Sequence, residues 1–297
     1  VYKRQTVGCM EALRWTSRPQ LNEPIMLAAF EGWTDAGGAA SGAGSYLTAR
    51  WGARAFAEID AEEFYDFTSL RPQVRILEDR TREIVWPQNR FFAAGTPDAR
   101  DVILLVGNEP HLRWRAFSDC VTTVAKEVGV KTVFTLGAML ADVPHTRAVP
   151  VRGSTADPDL ARRFGLRLPQ YQGPTGIVGV LQDAFAKVDI PVASLMAQVP
   201  HYVAGTPSPK ATLAIVERVS DLLTTRVPTG ELQRATLAYE RQVTEVVAAD
   251  DDMVRYVREL ERRADEGDVT DSLPEIPTGE ALAAELEEFL REQDGSN

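Results

Sequence analysis

Between residues 20 and 225, short apolar runs alternate with stretches whose apolar residues recur at helical spacing. That grammar dictates strands joined by crossover helices in a mostly parallel sheet. It predicts strands near 25–30 (IMLAAF), 54–60, 73–78, 82–86, 102–106 (VILLV), 131–136 (KTVFTL), 147–151 and 191–199. After the first of them Ala36, Ala39, Ala40, Ala43 and Leu47 fall at helical spacing, and further helices fit 115–128, 175–187 and 209–224. The block from 54 to 94 has no room for helices and reads as a meander or hairpin set at one sheet edge. Two cysteines and three histidines, scattered along 297 residues, make neither a disulfide framework nor a zinc motif.

Beyond Pro228 the pattern changes. Positions 239, 243, 246, 250, 253, 257, 260 and 264 alternate steps of four and three, and seven of the eight suit a buried helical seam; the eighth is Asp250. One long helix ending near Gly267 is expected, then a linker from Asp268 to Gly279 and a short return helix carrying Leu282, Leu286 and Phe289. The expected division is therefore an α/β domain over 1–228 and an acidic helical extension over 229–297. From Glu231 onward there are 7 basic and 19 acidic residues, whereas the whole chain carries a net charge of −11. Phosphate contacts need clustered Lys and Arg, so a nucleic-acid partner is not expected. No run approaches 18 apolar residues and the N-terminal segment lacks a secretory pattern, so no membrane span and a cytoplasmic location are expected. The seam needs a covering surface, which the return helix, the α/β body or a second copy would supply.

The residues that carry chemistry gather where predicted strands end. Glu31, Gly32, Trp33 and Asp35 lie in a glycine-rich turn between the first strand and the first helix. Such a turn either offers backbone N–H groups to an anion or lets the helix lie close on the sheet. It is not a Walker A loop, and Asp35 fits as a helix cap. Asn108, Glu109, His111 and Trp114 follow VILLV, with Trp114 opening the next helix; Glu109 reads as a cap or an acid. Thr146 and Arg147 follow the strand at 131–136, where Arg147 grips an oxyanion or pairs with a loop carboxylate such as Asp142. Thr175 is a candidate cap for the helix that follows it. His201 and Tyr202 end the last strand, as an acid/base pair or a satisfied hydrogen-bond pair. Parallel strands would bring these loops to one edge and into one cleft. No catalytic set closes: there is no Gly-x-Ser-x-Gly, no His-Glu-x-x-His and no marked nucleophile. No cofactor and no metal are expected, and the catalytic residues stay unassigned.

Five segments in order carry a resemblance. Glu31-Gly-Trp-Thr-Asp-Ala-Gly37, Gly107-Asn-Glu-Pro110 with Trp114 and Phe117, Gly137 with Pro144, Thr146 and Arg147, Gly173 to Gly179, and Ser194 to Tyr202 together resemble the PAC2 (proteasome assembly chaperone 2) family, in its actinobacterial branch. The resemblance covers roughly residues 20 to 225. It implies a three-layer α/β/α sandwich similar to nucleoside phosphorylases and hydrolases, with a C-terminal helical extension. It also implies an assembly or interaction role, a proteasome-related protein partner, and a homo-oligomer, a trimer first and a dimer next. Chaperones of that kind often end in a hydrophobic-Tyr-X tail, whereas this sequence ends Gln293-Asp-Gly-Ser-Asn297. The alternative from the loops alone is a small-molecule-binding protein or enzyme with a phosphorylase- or hydrolase-like cleft.

Overall fold

The computed structural model describes residues 11–95 and 100–267. These residues hold ten strands: β1 (Leu13–Trp15), β2 (Ile25–Glu31), β3 (Arg54–Ile59), β4 (Gln73–Ile76), β5 (Arg82–Val85), β6 (Asn89–Gly95), β7 (Asp101–Asn108), β8 (Thr132–Ala141), β9 (Val151–Ser154) and β10 (Val192–Pro200). Eight form one sheet in the order β1-β3-β6-β7-β2-β8-β10-β9, while β4 and β5 make a separate hairpin. The central strands β7, β2, β8 and β10 run parallel, and antiparallel strands flank them on both sides.

Helices cover both faces, which is why the central strands are near-continuous apolar runs. On β2, Met26, Ala28 and Phe30 enter one core with α2 (Trp114–Glu127) and α4 (Ile177–Ala186). Ile25, Leu27 and Ala29 enter the other core, with α1 (Ala39–Arg50), α3 (Pro158–Phe164) and α5 (Pro209–Leu223). Among the described residues seven phenylalanines are wholly enclosed, including Phe30, Phe117 and Phe134, each worth about 1.5–3 kcal/mol by burial. The small residues of α1 act as the close-packing reading requires: a Cβ on Gly44 would lie 2.9 Å from Ala29 Cβ.

The α/β/α architecture therefore stands, with local corrections. β9 begins at Val151, where a strand at 147–151 was expected, and β1, β6 and α3 carry too little periodicity to be read from sequence. The long C-terminal helix is two helices, α6 (Gly230–Ala248) and α7 (Asp251–Asp265). Asp250 breaks the seam because it caps α7, accepting the N–H of Asp252 at 2.9 Å and of Met253 at 3.3 Å. The antiparallel hairpin consequently closes within this segment, while the linker and return helix expected after Gly267 lie outside the described residues. Tyr239, Val243, Val247 and Val257 bury the hairpin's inner face against Tyr202 and Val203. Val246, expected in the seam, is exposed.

Candidate functional site

The carboxyl ends of β2 and β7 mark the switch point of the sheet. They are adjacent, with Glu31 in register with Asn108, yet β2 leads into α1 on one face and β7 into α2 on the other. Diverging connections open a crevice at such a place in α/β folds; in this protein the β2/β7 crevice is filled by Glu109, wedged between Gly32 and Gly176.

Glu109 organises this crevice. Its Oε2 accepts the backbone N–H of Trp33 at 2.8 Å, and its Oε1 accepts that of Ile177 at 2.7 Å. Ile177 is the first residue of α4, so the carboxylate caps that helix from another loop and meets the positive end of its dipole. Thr175, the expected cap, is not it; the N-cap is Gly176, whose own side chain offers nothing. Glycine is required on both sides of the carboxylate: a Cβ at Gly32 would come 2.5 Å from Glu109 Cβ, and one at Gly176 2.7 Å from Oε1. The Glu109 N–H bonds the Glu31 carbonyl at 2.8 Å, while Asn108 Nδ2 donates to Glu31 Oε2 at 3.2 Å. Below the crevice Asn89 donates to the Tyr65 hydroxyl, which donates to the Asn108 carbonyl at 2.7 Å. Burial, the dominant cause, raises the Tyr65 pKa well above its ordinary value, so it remains a donor. Trp33 stands on the rim with 63% of its surface exposed.

The other candidates in this region are structural. Asp35 accepts the N–H of Ala40 at 2.7 Å and of Ser41 at 3.2 Å, capping α1; desolvation raises its pKa against those bonds. Trp114 opens α2 and returns its indole N–H to the Pro110 carbonyl at 2.5 Å. His111 accepts the N–H of Asp66 at 3.2 Å.

Thr146, Arg147, His201 and Tyr202 form a second group, held by the C-terminal hairpin. Arg147 makes a bidentate pair with Asp265 of α7, both bonds 2.8 Å, and lies 3.4 Å from Glu261. Thr146 donates to Glu261 at 2.5 Å. The partner of Arg147 is thus a helix carboxylate, and Asp142 instead pairs with His201 at 3.1 Å. Those bonds to Asp265 hold the Arg147 pKa above its usual value and the Asp265 pKa below. The hydrogen bonds therefore sort the candidates into a β2/β7 crevice and a hairpin seat.

Sequence reasoning missed the buried hub of that seat, His145. Tyr202 accepts the His145 backbone N–H at 2.7 Å and bonds Nδ1 at 2.8 Å, and Nε2 lies 3.0 Å from Thr244 Oγ1 of α6. The Thr244 hydroxyl gives its proton to the Glu240 carbonyl at 2.7 Å, so it accepts from Nε2–H, and Nδ1 accepts the proton of the Tyr202 hydroxyl. Lys210 donates to the His145 carbonyl at 2.5 Å and pairs with Glu240. Burial first, then Lys210, lowers the His145 pKa from its ordinary 6.5, against Glu261 and Glu240. Burial likewise pushes Tyr202 up to about 12. A histidine depressed in the folded state is protonated more readily in the unfolded chain. Its stability contribution is complete above pH 6.5 and is lost as pH falls below that value. Asp35 and Asp119, whose carboxyls burial raises, act with the opposite sign above 3.8. The measurement is therefore a difference: between pH 7.5 and 5.5, urea midpoints of the wild type should fall more than those of His145→Asn. Equal slopes would remove His145 from the account.

No group of three or more His, Cys, Asp or Glu among the described residues could hold a metal ion, and no helix there is long and apolar enough to cross a membrane.

A three-layer sandwich with a crevice at its switch point defines a class of α/β protein, and the comparisons place the chain within it. The model of the PAC2 family matches residues 29–247, so this chain belongs to the PAC2 family. A PAC2 family protein from Streptomyces avermitilis is 47% identical, with a TM-score of 0.74, covering 79% of this chain and 99% of its own. A proteasome-assembly chaperone homologue from Mycobacterium tuberculosis is 46% identical, with a TM-score of 0.71, covering 78% of this chain and 99% of its own. An archaeal proteasome activator from Pyrococcus furiosus, at 19% identity and a TM-score of 0.63 over 79% of this chain and 97% of its own, shares the fold. No curated protein sequence matches the chain.

Proposed function

We propose that this protein is an interaction factor of the proteasome-assembly-chaperone type, acting in the cytoplasm on a proteasome-related protein partner. The rim of the β2/β7 crevice would be the contact surface. The observation that carries this reading is the use of Glu109. The two N–H groups best placed to receive an anion, those of Trp33 and Ile177, are filled by the protein's own carboxylate. A phosphorylase- or hydrolase-like reaction would need that cradle open. What remains outward is an indole on a glycine-bounded turn, the kind of anchor that dominates protein interfaces. The relatives supply the partner class, since the M. tuberculosis protein 46% identical to this chain is a proteasome-assembly chaperone homologue.

The test is size-exclusion co-elution of the full chain with purified 20S proteasome α-subunits. Wild type should co-elute, and Trp33→Ala should weaken binding at least about tenfold. Its melting temperature should stay unchanged, because that side chain is mostly in solvent. Failure of wild type to bind, together with turnover of a nucleoside plus inorganic phosphate or of an activated ester, would replace this reading with the enzymatic one.

A further inference from the structure

The two helices of the C-terminal hairpin are held unequally. α6 buries Tyr239, Val243 and Val247, closes over His145 through Thr244, and pairs Glu240 with Lys210. α7 buries only Val257 and Leu260, and otherwise grips the body through side chains at the surface. Asp265 and Glu261 reach Arg147 and Thr146, and Tyr256 meets the His201 ring edge-on with centroids 5.5 Å apart. The side chain of Asp265 is 57% exposed and that of Arg147 40%, so water screens their pair. Ala249 and Asp250 alone join the two helices, and the region matched by the family model ends before them, at residue 247. α7 also carries its own helical support. Asp250 caps it, and Asp252 with Arg255, Glu259 with Arg262 and Arg263, and Arg262 with Glu266 pair between successive turns.

We propose that the surface beneath α7 is a docking site for an acidic amphipathic helix of a protein partner, and that α7 is the internal ligand which that helix displaces. The bound face of α7 reports what the site accepts. Val257 and Leu260 supply an apolar pair three residues apart. Glu261 and Asp265 supply carboxylates four residues apart, and all four side chains fall on one side of the helix. Arg147 takes the second carboxylate bidentately, while the Thr146 hydroxyl donates to the first. Asp142, the acid of the site, is paired with His201 and leaves the guanidinium to the ligand. That chemistry restricts the occupant. A basic helix would set like charge on Arg147, and an apolar one would leave the guanidinium and the hydroxyl without partners. A small dicarboxylate would leave uncovered Tyr202 and Val203, on which the cluster containing Val257 packs. A helix laid in a groove by spaced anchors satisfies all of these groups together. The site also continues the sheet edge that carries the Trp33 turn, since β8 donates the Ala138 N–H to the Thr34 carbonyl at 2.8 Å before running on toward Thr146. It is a different surface from the Trp33 rim, and its test uses no proteasome subunit, so either reading can fail without the other.

The probe is a fluorescein-labelled peptide with the sequence of residues 250–267. In the full wild-type chain the tethered α7 competes at an effective concentration on the order of millimolar, so the peptide should bind weakly. Glu261→Ala together with Asp265→Ala in the chain loosens the internal ligand and leaves the floor of the site intact. Fluorescence anisotropy should then show the peptide held at least about tenfold more tightly than by wild type. Adding Arg147→Ala to that variant should remove the gain, as should E261Q with D265N in the peptide. Hydrogen exchange on the unaltered chain is a check that needs no variant. Amides of α7 around Val257 and Leu260 should exchange at least about tenfold faster than those of α6 around Val243 and Val247, because α7 lifts while α6 stays. Exchange in α7 no faster than in α6, a double variant that binds no more tightly than wild type, a gain that survives Arg147→Ala, or equal binding of polyglutamate of the same length would overturn the proposal. The last result would reduce the site to a patch that takes any anion.

Discussion

Gly107→Ala is expected to cost at least about 3 kcal/mol, a large share of the roughly 5–15 kcal/mol that holds a typical domain together. The reason is the nature of the neighbours. A Cβ at Gly107 would sit 2.1 Å from the Gln88 carbonyl oxygen, 2.2 Å from Asn89 Oδ1 and 2.7 Å from Asn89 Cα. Two of those three atoms belong to backbone and cannot swing aside as a flexible side chain would. Relief requires β6 to move away from β7 at the point where Asn89 and Gly107 are in register. That displacement also pulls on the chain from Asn89 through Tyr65 to the Asn108 carbonyl, one residue before Glu109. Overpacking of this kind commonly costs 1–3 kcal/mol where side chains give way, and more where they do not. Gly205→Ala is the control, because a Cβ there meets nothing within 4 Å. Chemical denaturation of both variants settles the matter: Gly205→Ala should stay within about 0.5 kcal/mol of wild type. A Gly107→Ala protein equally stable would mean that β6 and β7 are not packed as described.

The sandwich was legible in the sequence because strands buried on both faces leave an unmistakable mark. Ile25 to Phe30 and Val102 to Val106 have no polar interruption, and of the α5 stripe that the sequence shows at Leu213, Val216, Val219 and Leu223, Val216 and Val219 are buried while Leu213 and Leu223 are only partly so. The family resemblance was carried by the turns that join such elements, and it held. What stayed illegible is instructive in each case. β6 hides because Asn89 and Arg90 open it and small residues close it. The break at Asp250 hides because an aspartate in a seam and an aspartate capping a helix are the same letter, separable only by the direction its carboxylate takes.

The same limit governs the site. That Glu109 is a cap or an acid could be stated from sequence, but its partner Ile177 lies 68 residues downstream, beyond any local pattern. Arg147 was rightly suspected of ion pairing, yet its carboxylate lies 118 residues away on α7. His145 carried no local signal at all; it became a hub only when α6 closed over it. The strands β7, β2, β8 and β10 are parallel, which turns their carboxyl ends to one sheet edge, but the expected single cleft does not follow from that. The sorting into two groups came from the hairpin, whose docking position depends on Tyr202, Val203 and the acidic face of α7 acting together.

The second large effect is expected at Glu109, where structure and binding meet. Glu109→Ala should lower stability by about 2–4 kcal/mol: it removes two charge-assisted hydrogen bonds, each worth about 1.5–3 kcal/mol, less what water returns to the exposed Trp33 N–H. For a chain of this size that is a fall in melting temperature of roughly 3–8 °C. Glu109→Gln is the sharper probe, since it keeps the shape and one acceptor oxygen while turning an NH2 donor toward one of two N–H donors. It should lie between wild type and Ala. Part of the loss comes from the charge at the N-terminus of α4, so the gap between Gln and wild type should narrow as salt is raised. Because Glu109 ties the Trp33 turn to α4, both variants should weaken binding of proteasome α-subunits even at temperatures where they remain folded, whereas Trp33→Ala weakens binding with no change in melting. That contrast separates an anchor from the residue that positions it. If Glu109→Ala melted within about 0.5 kcal/mol of wild type, the carboxylate would not be holding the crevice together. The N–H groups of Trp33 and Ile177 would then be open to an external anion, and the enzymatic reading would regain the cradle it lacks.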